Sequence, residues 1–164
     1  MTNISSADLS AIQAQLGREP RGVVEVAHRC TCGQPDVVKT APRLDDGTPF
    51  PTMYYLTCPR ASAAIGTLEA DGVMREFNAL LQDDTELAEH YKAAHESYLA
   101  DRETLGQVEE IAGISAGGMP DRVKCLHVLV AHALAVGPGI NPLGDLALDR
   151  LSDWGARGMC GGDE

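Results

Sequence analysis

Residues Pro120–Val136 read PDRVKCLHVLVAHALAV. Wound as a helix, this stretch is apolar around nearly its whole circumference, and such a helix is stable only where most of its surface is covered. It is therefore predicted to be the central helix of the core, with the other elements arranged around it. It also carries Cys125, His127 and His132. At about 100° per residue, Val123, Leu126, Val130 and Leu134 form one stripe, with His127 at its edge. Cys125, Leu129, His132 and Val136 form the opposite stripe, with Asp121 near its start. Cys125 and His132 then lie about 10.5 Å apart along the axis, at roughly 1.5 Å per residue. Zinc bonds of about 2.0–2.3 Å barely bridge that gap. Co-ligands of Cys125 are expected from elsewhere in the chain, and His132 is expected to face a substrate or support the site.

Just upstream, residues 113–120 read GISAGGMP and place Gly117 and Gly118 before the predicted helix, with Arg122 and Lys124 in its first turns. Backbone N–H groups at a helix start hold phosphate or carboxylate. Gly117, Gly118 and Arg122 are thus a candidate anion site, against the plainer reading of a turn. Just downstream, GPGINPLGD (137–145) is turn-rich, with Asn141 and Asp145 read as turn and cap residues. A last short helix is expected over 143–154. Residues 155–164 read as a frayed tail, with Cys160 a bystander.

The first half of the chain alternates differently. Residues 5–16 suit an amphipathic helix capped by Ser5 or Ser6, with Ile12 and Leu16 on one face. In GVVEVAHRC (22–30), strict alternation puts Val24, Val26, His28 and Cys30 on one side of a strand and Val23, Glu25, Ala27 and Arg29 on the other. CTCGQP (30–35) breaks it. DVVKT (36–40) and TMYYLT (52–57) are further strands, and Pro59 suits the first turn of a helix. Helices are expected from 59 to about 82, with a break near Asp71–Gly72, and from about 84 to 105. In the second of these, Leu87, Tyr91, Ala94 and Tyr98 form the buried stripe, flanked by His95 and Arg102. The expected fold class is α+β: one domain in which a sheet of about three strands (22–58) packs on a mainly helical layer (59–154).

The chain has 164 residues, 44% of them hydrophobic, and a formal net charge of −11. That is enough apolar material for a core without disulfides. The acidic balance argues against nucleic acid and anionic lipid as partners, since both need a basic surface. No run reaches the ~18 apolar residues of a membrane span. MTNISSADLSAIQAQL (1–16) lacks the basic and apolar regions of a signal peptide, so a cytoplasmic protein is expected. There thiols stay reduced, and grouped cysteines point to metal or catalysis.

The expected metal set is Cys30, Cys32, Cys58 and Cys125: a C-x-C-G knuckle ending one strand, a cysteine ending another, and one on the core helix. Four thiolates suit tetrahedral zinc or an iron–sulfur cluster. His28, His127 or His132 can replace Cys32 as the fourth ligand. The competing reading makes Cys58 and Cys125 small buried hydrophobes. Cys58, at a strand-to-helix junction, also suits a thiol nucleophile activated by the helix dipole, with His127 or His132 as base. CPRASAA (58–64) lacks the arginine of a phosphate-binding cysteine loop: Ala64 stands in its place. The catalytic candidates are His132, His127 and Asp121. Two functional classes follow. One is an interaction or regulatory module stapled by metal, with an unidentified protein partner. The other is a small enzyme using Cys58 or a metal on a small anionic substrate.

Three long segments, VAHRCTCGQPDVVKTAPRLDDGTPFPTMYYLTCPR (26–60), YKAAHESYLADRE (91–103) and SAGGMPDRVKCLHVLVAHALAVGPGINPLGD (115–145), resemble the uncharacterised bacterial family called domain of unknown function 501, actinobacterial members most closely. The likeness spans about Gly17 to Asp145. It implies that Cys30, Cys58, Cys125, His127 and His132 lie in the family's signature segments. It supplies no catalytic assignment.

Overall fold

The computed structural model describes residues 4–156. Helix α1 (Ser6–Leu16) is followed by three strands, β1 (Val23–Arg29), β2 (Pro35–Thr40) and β3 (Tyr54–Leu56). Five helices complete the order: α2 (Pro59–Ala70), α3 (Val73–Asp83), α4 (Thr85–Glu103), α5 (Leu126–Val136) and α6 (Pro142–Asp149). The strands form an antiparallel sheet in the order β1-β2-β3. The fold is α+β, as the residue pattern indicates.

One face of the sheet is covered by α1, where Ile12 and Leu16 pack on Val23, Val26 and Val38. The Gln15 side chain donates to the Pro35 carbonyl at 2.7 Å and ties this layer down. The other face presents Ala27, Val37 and Tyr54 to the main core, which is built from α2 to α6. Strict alternation put Val23 and Val26 on opposite sides, yet both meet α1. The cause is irregular pairing: the β1–β2 register shifts between Val23 and Glu25, between Val26 and His28, and again at Arg29. Each extra residue turns the following side chains to the other face.

Helix α5 sits at the centre, with Leu126, Leu129, Val130, Ala131, His132 and Ala133 all buried. It begins at Leu126, six residues later than expected. The backbone ahead of it is already engaged elsewhere. Arg122 and Lys124 N–H donate to the carbonyls of Gly118 and Gly117. Val123 N–H donates to Asn78 Oδ1, and the Asn78 amide donates to the Val123 carbonyl. Tyr91 O–H donates to the Arg122 carbonyl. The Lys124 amide and the Arg122 and Val123 carbonyls are groups that a helix starting at Pro120 would use in its ladder, and here they bond elsewhere.

Helix α4 buries Tyr91, Ala94, Tyr98 and Arg102. Tyr98 hydroxyl accepts from the N–H groups of Met53 and Tyr54 at 2.6 and 3.2 Å and so anchors β3. Arg102, expected only to flank the stripe, is buried because its guanidinium donates to the carbonyls of Pro51 and Ile111. Helix α6 is shorter than expected, capped by Asn141, whose side-chain oxygen accepts from Gly144 N–H.

Helices α5 and α6 cross at close range in the core. A Cβ placed on Gly144 would lie 2.3 Å from the Leu129 carbonyl oxygen and 2.8 Å from the Ala133 Cβ. By contrast, a Cβ on Gly66, inside α2, would meet nothing. Gly144→Ala should therefore cost about 1–3 kcal/mol by forcing the helices apart. Gly66→Ala should stabilise the protein by about 0.5–1 kcal/mol. Paired denaturant melts of the two variants check both signs.

Candidate functional site

The four expected metal cysteines fall into two places. Cys30, Cys32 and Cys58 pack together with Leu56, Ala61 and Trp154 at the end of β1 and the start of α2. Cys58 is fully buried and caps α2 without a side-chain bond. The knuckle turns tightly: Gly33 N–H donates to the Cys30 carbonyl and Cys32 N–H approaches Cys30 Sγ at 3.5 Å. Residues 153–155, expected to end a helix and open a frayed tail, instead lie on this knuckle. Thr31 hydroxyl donates to Asp153 at 2.6 Å, and a Cβ on Gly155 would fall 2.4 Å from Cys30 Sγ. Cys160 lies outside the described residues.

Cys125 is not with them. It occupies the cap position of α5, where its neighbours are Glu69 of α2 and His127. Ligand atoms of Glu69, Cys125 and His127 all lie within 4.8 Å of one another, and no other group of three or more His, Cys, Asp or Glu does so among the described residues. The three side chains are held in place from outside. His127 Nδ1 meets Glu69 Oε1 at 2.8 Å, and its Nε2 meets the Ser62 carbonyl at 3.1 Å. Glu69 Oε2 accepts from Leu126 N–H at 3.2 Å, so the carboxylate also covers an open amide at the α5 start. All three residues are partly exposed.

Burial opposes ionisation of the Cys125 thiol. The His127 ring bonded to it and the Val128 amide outweigh burial, and the thiol is held below its ordinary range. Val128 contributes without closing a side-chain capping bond. The bond to Cys125 likewise raises His127 above the usual imidazole range, assisted by Glu69 and the Ser62 carbonyl against partial burial. The two shifts run in opposite directions because the thiol and the ring share one proton. A metal ion bound here would have to displace that proton.

The remaining candidates lie apart from this group. Asp121 is exposed in the loop ahead of α5, near His95, whose Nδ1 meets Ser115 hydroxyl at 2.7 Å. Gly117, Gly118 and Arg122 do not sit at a helix start, because α5 begins only at Leu126. The two glycines instead close a tight loop through their carbonyls, and a Cβ on Gly118 would lie 2.7 Å from the Arg122 carbonyl oxygen. His132 shares no surface with Cys125: it is fully buried between the Tyr54 and Tyr98 rings, at 5.7 and 5.0 Å between centroids. Its Nδ1 meets the Asn141 amide at 3.1 Å. Glu69 was missed in the sequence because nothing in TLEA (67–70) marks it: it lies 56 residues before Cys125 and reaches the site only through helix packing.

A family model described as "Protein of unknown function (DUF501)" matches residues 26–149. The chain belongs to the DUF501 family. The DUF501 match takes in the knuckle, α2 and α5, and so all of Cys30, Cys32, Cys58, Glu69, Cys125 and His127. No curated protein and no solved structure matches the chain. No described helix is long and apolar enough to cross a membrane.

His132 also ties stability to pH. Desolvation pushes its pKa down to about 4. Below the unfolded-state value near 6.5, the unfolded chain takes up a proton that the folded chain refuses. The stability it supports is complete above about pH 6.5 and is lost as pH falls toward 4, by about 3 kcal/mol in all. Urea melts between pH 7 and 4 should show this slope, and His132→Leu should flatten it.

Proposed function

We propose that this DUF501 protein binds one divalent metal of the zinc class at Glu69, Cys125 and His127, leaving a fourth position for water or substrate. The reading is carried by the approach of these three ligand atoms within 4.8 Å of one another. Ligand atoms around a tetrahedral zinc lie about 3.5 Å apart, so small side-chain adjustments close the set. Thiolate, imidazole and carboxylate together suit zinc, whereas iron–sulfur clusters are held chiefly by thiolates.

The histidine geometry supports metal over a thiol triad. A triad uses one ring nitrogen for the nucleophile and the other for the carboxylate. Here Nε2 is committed to the Ser62 carbonyl, and Nδ1, which meets Glu69 Oε1, is the nitrogen on the side of the other two donors that an ion would take. A backbone carbonyl on the second nitrogen is the outer contact that metal-bound histidines make. Three protein ligands in a partly exposed site favour an exchangeable, catalytic-type centre over a closed staple. Bound there, zinc would polarise an oxygen of a small anionic substrate or lower the pKa of a bound water. The cytoplasm, where thiols stay reduced, is the compartment this reading requires.

A second reading rests on the packing of Cys30, Cys32 and Cys58 beneath Trp154. It places a thiolate-bound metal at the knuckle, as a staple in an interaction module. One experiment separates the two. Elemental analysis of untagged protein should give about one zinc per chain. Cys125→Ser and Glu69→Gln should each strip it from folded protein, and Cys58→Ser should keep it. Zinc retained in Cys125→Ser but lost in Cys58→Ser moves the metal to the knuckle. A wild-type protein without zinc, even after incubation with the ion, overturns both readings.

A further inference from the structure

Helix α1 covers its face of the sheet only as far as Leu16 and ends at Gly17, which caps it in the left-handed conformation. Beside this end lies a hollow of about 240 Å³, walled by Leu16, Val23, Val38, Leu44, Phe50 and Tyr55. It is larger than the roughly 150 Å³ cavity that takes up benzene. The walls are built without a ligand. Val23, Val38 and Leu44 are buried, and the Phe50 and Tyr55 rings lie 6.2 Å apart. The loop that carries Leu44 is closed on itself: Leu44 N–H donates to the Thr48 carbonyl and Gly47 N–H to the Leu44 carbonyl. A preformed apolar hollow takes an apolar body out of water with little loss of chain freedom.

The charges around the hollow have one sign. Arg18 and Arg21 line it, both exposed, and no carboxylate is among the lining residues. Thr40 also lines it, but its hydroxyl is spent on the Thr52 and Met53 carbonyls. Arg21 is paired with Asp46, and both partners are more than half exposed. Such a pair is weak and exchanges readily. Arg18 has no carboxylate partner among the described residues; it reaches only the carbonyl of its neighbour Glu19, at 3.4 Å. The chain as a whole carries a net charge of −11, so an apolar hollow edged by guanidinium groups runs against its general charge. A guanidinium holds a carboxylate through paired N–H bonds.

We propose that this hollow binds a small amphipathic carboxylate, with its alkyl or aromatic body against the apolar walls and its head on Arg18. The site shares no residue with the Glu69–Cys125–His127 group and does not rest on metal binding.

Octanoate is the probe, titrated by calorimetry into the full chain at two temperatures, because apolar burial gives a heat that changes with temperature. It should saturate with a Kd of about 1 mM or below. Acetate, a head without a body, and octylammonium, the same body with the opposite charge, should not. From butanoate to octanoate the affinity should rise about three- to fourfold per methylene. Arg18→Glu should weaken octanoate at least about tenfold. Arg75→Glu, the same charge change on α3 and outside the hollow, should leave it as in the wild type. Both positions are exposed, so the melting curves should not move. No saturation by octanoate up to about 10 mM, equal affinity for octylammonium, affinity that ignores chain length, or wild-type affinity in Arg18→Glu overturns the proposal.

Discussion

Helix α5 has no face suited to water, and its neighbours are placed by the need to cover it. Strands β1 to β3 lie against it on one side and α2 and α6 on others. A buried apolar helix gains stability only when each stripe meets a complementary surface at close range. Gly144 lets the α6 backbone approach the α5 backbone at Leu129. Without that approach the stripe carrying Leu129 and Ala133 would stand open.

Polar groups that enter this core come with directed bonds, and those bonds set the connections between layers. The Tyr98 hydroxyl holds two β3 amides, and the Arg102 guanidinium holds two loop carbonyls. Asn141 caps α6 with its oxygen and meets His132 with its nitrogen. Asn78 pairs with both backbone groups of Val123. A buried polar group left unpaired costs more than a hydrogen bond yields, so such pairings select one arrangement among many apolar packings. The candidate metal group is a by-product of the same packing. Covering α5 with α2 brings Ser62 and Glu69 to His127, and Glu69 then closes an open amide at the α5 start.

Local patterns were readable where they depend on near neighbours. The Tyr91–Ala94–Tyr98 stripe, the break at Asp71–Gly72, the Asn141 cap and three short strands follow from helical spacing, turn chemistry and β-branched residues, which act over a few positions. Cys125 and His127 stood out as donors close together in sequence. Their third partner did not, because Glu69 is marked only by where α2 lies. His28 was placed on one face of β1 by strict alternation, and the bulged β1–β2 pairing removes that guide.

The sequence by itself determined that a hydrophobic helix near residue 130 would be central, that the class would be α+β, and that cysteine and histidine donors would flank that helix. Tertiary structure alone decided where the helix begins, which cysteines share a site, and that His132 belongs to the core. The physical reason is the same in each case. Residues 122–124 have backbone groups that either a helix or Asn78, Tyr91 and the Gly117–Gly118 carbonyls can take up. Which partner wins depends on groups far away in the chain, and only the packed fold brings those groups within reach.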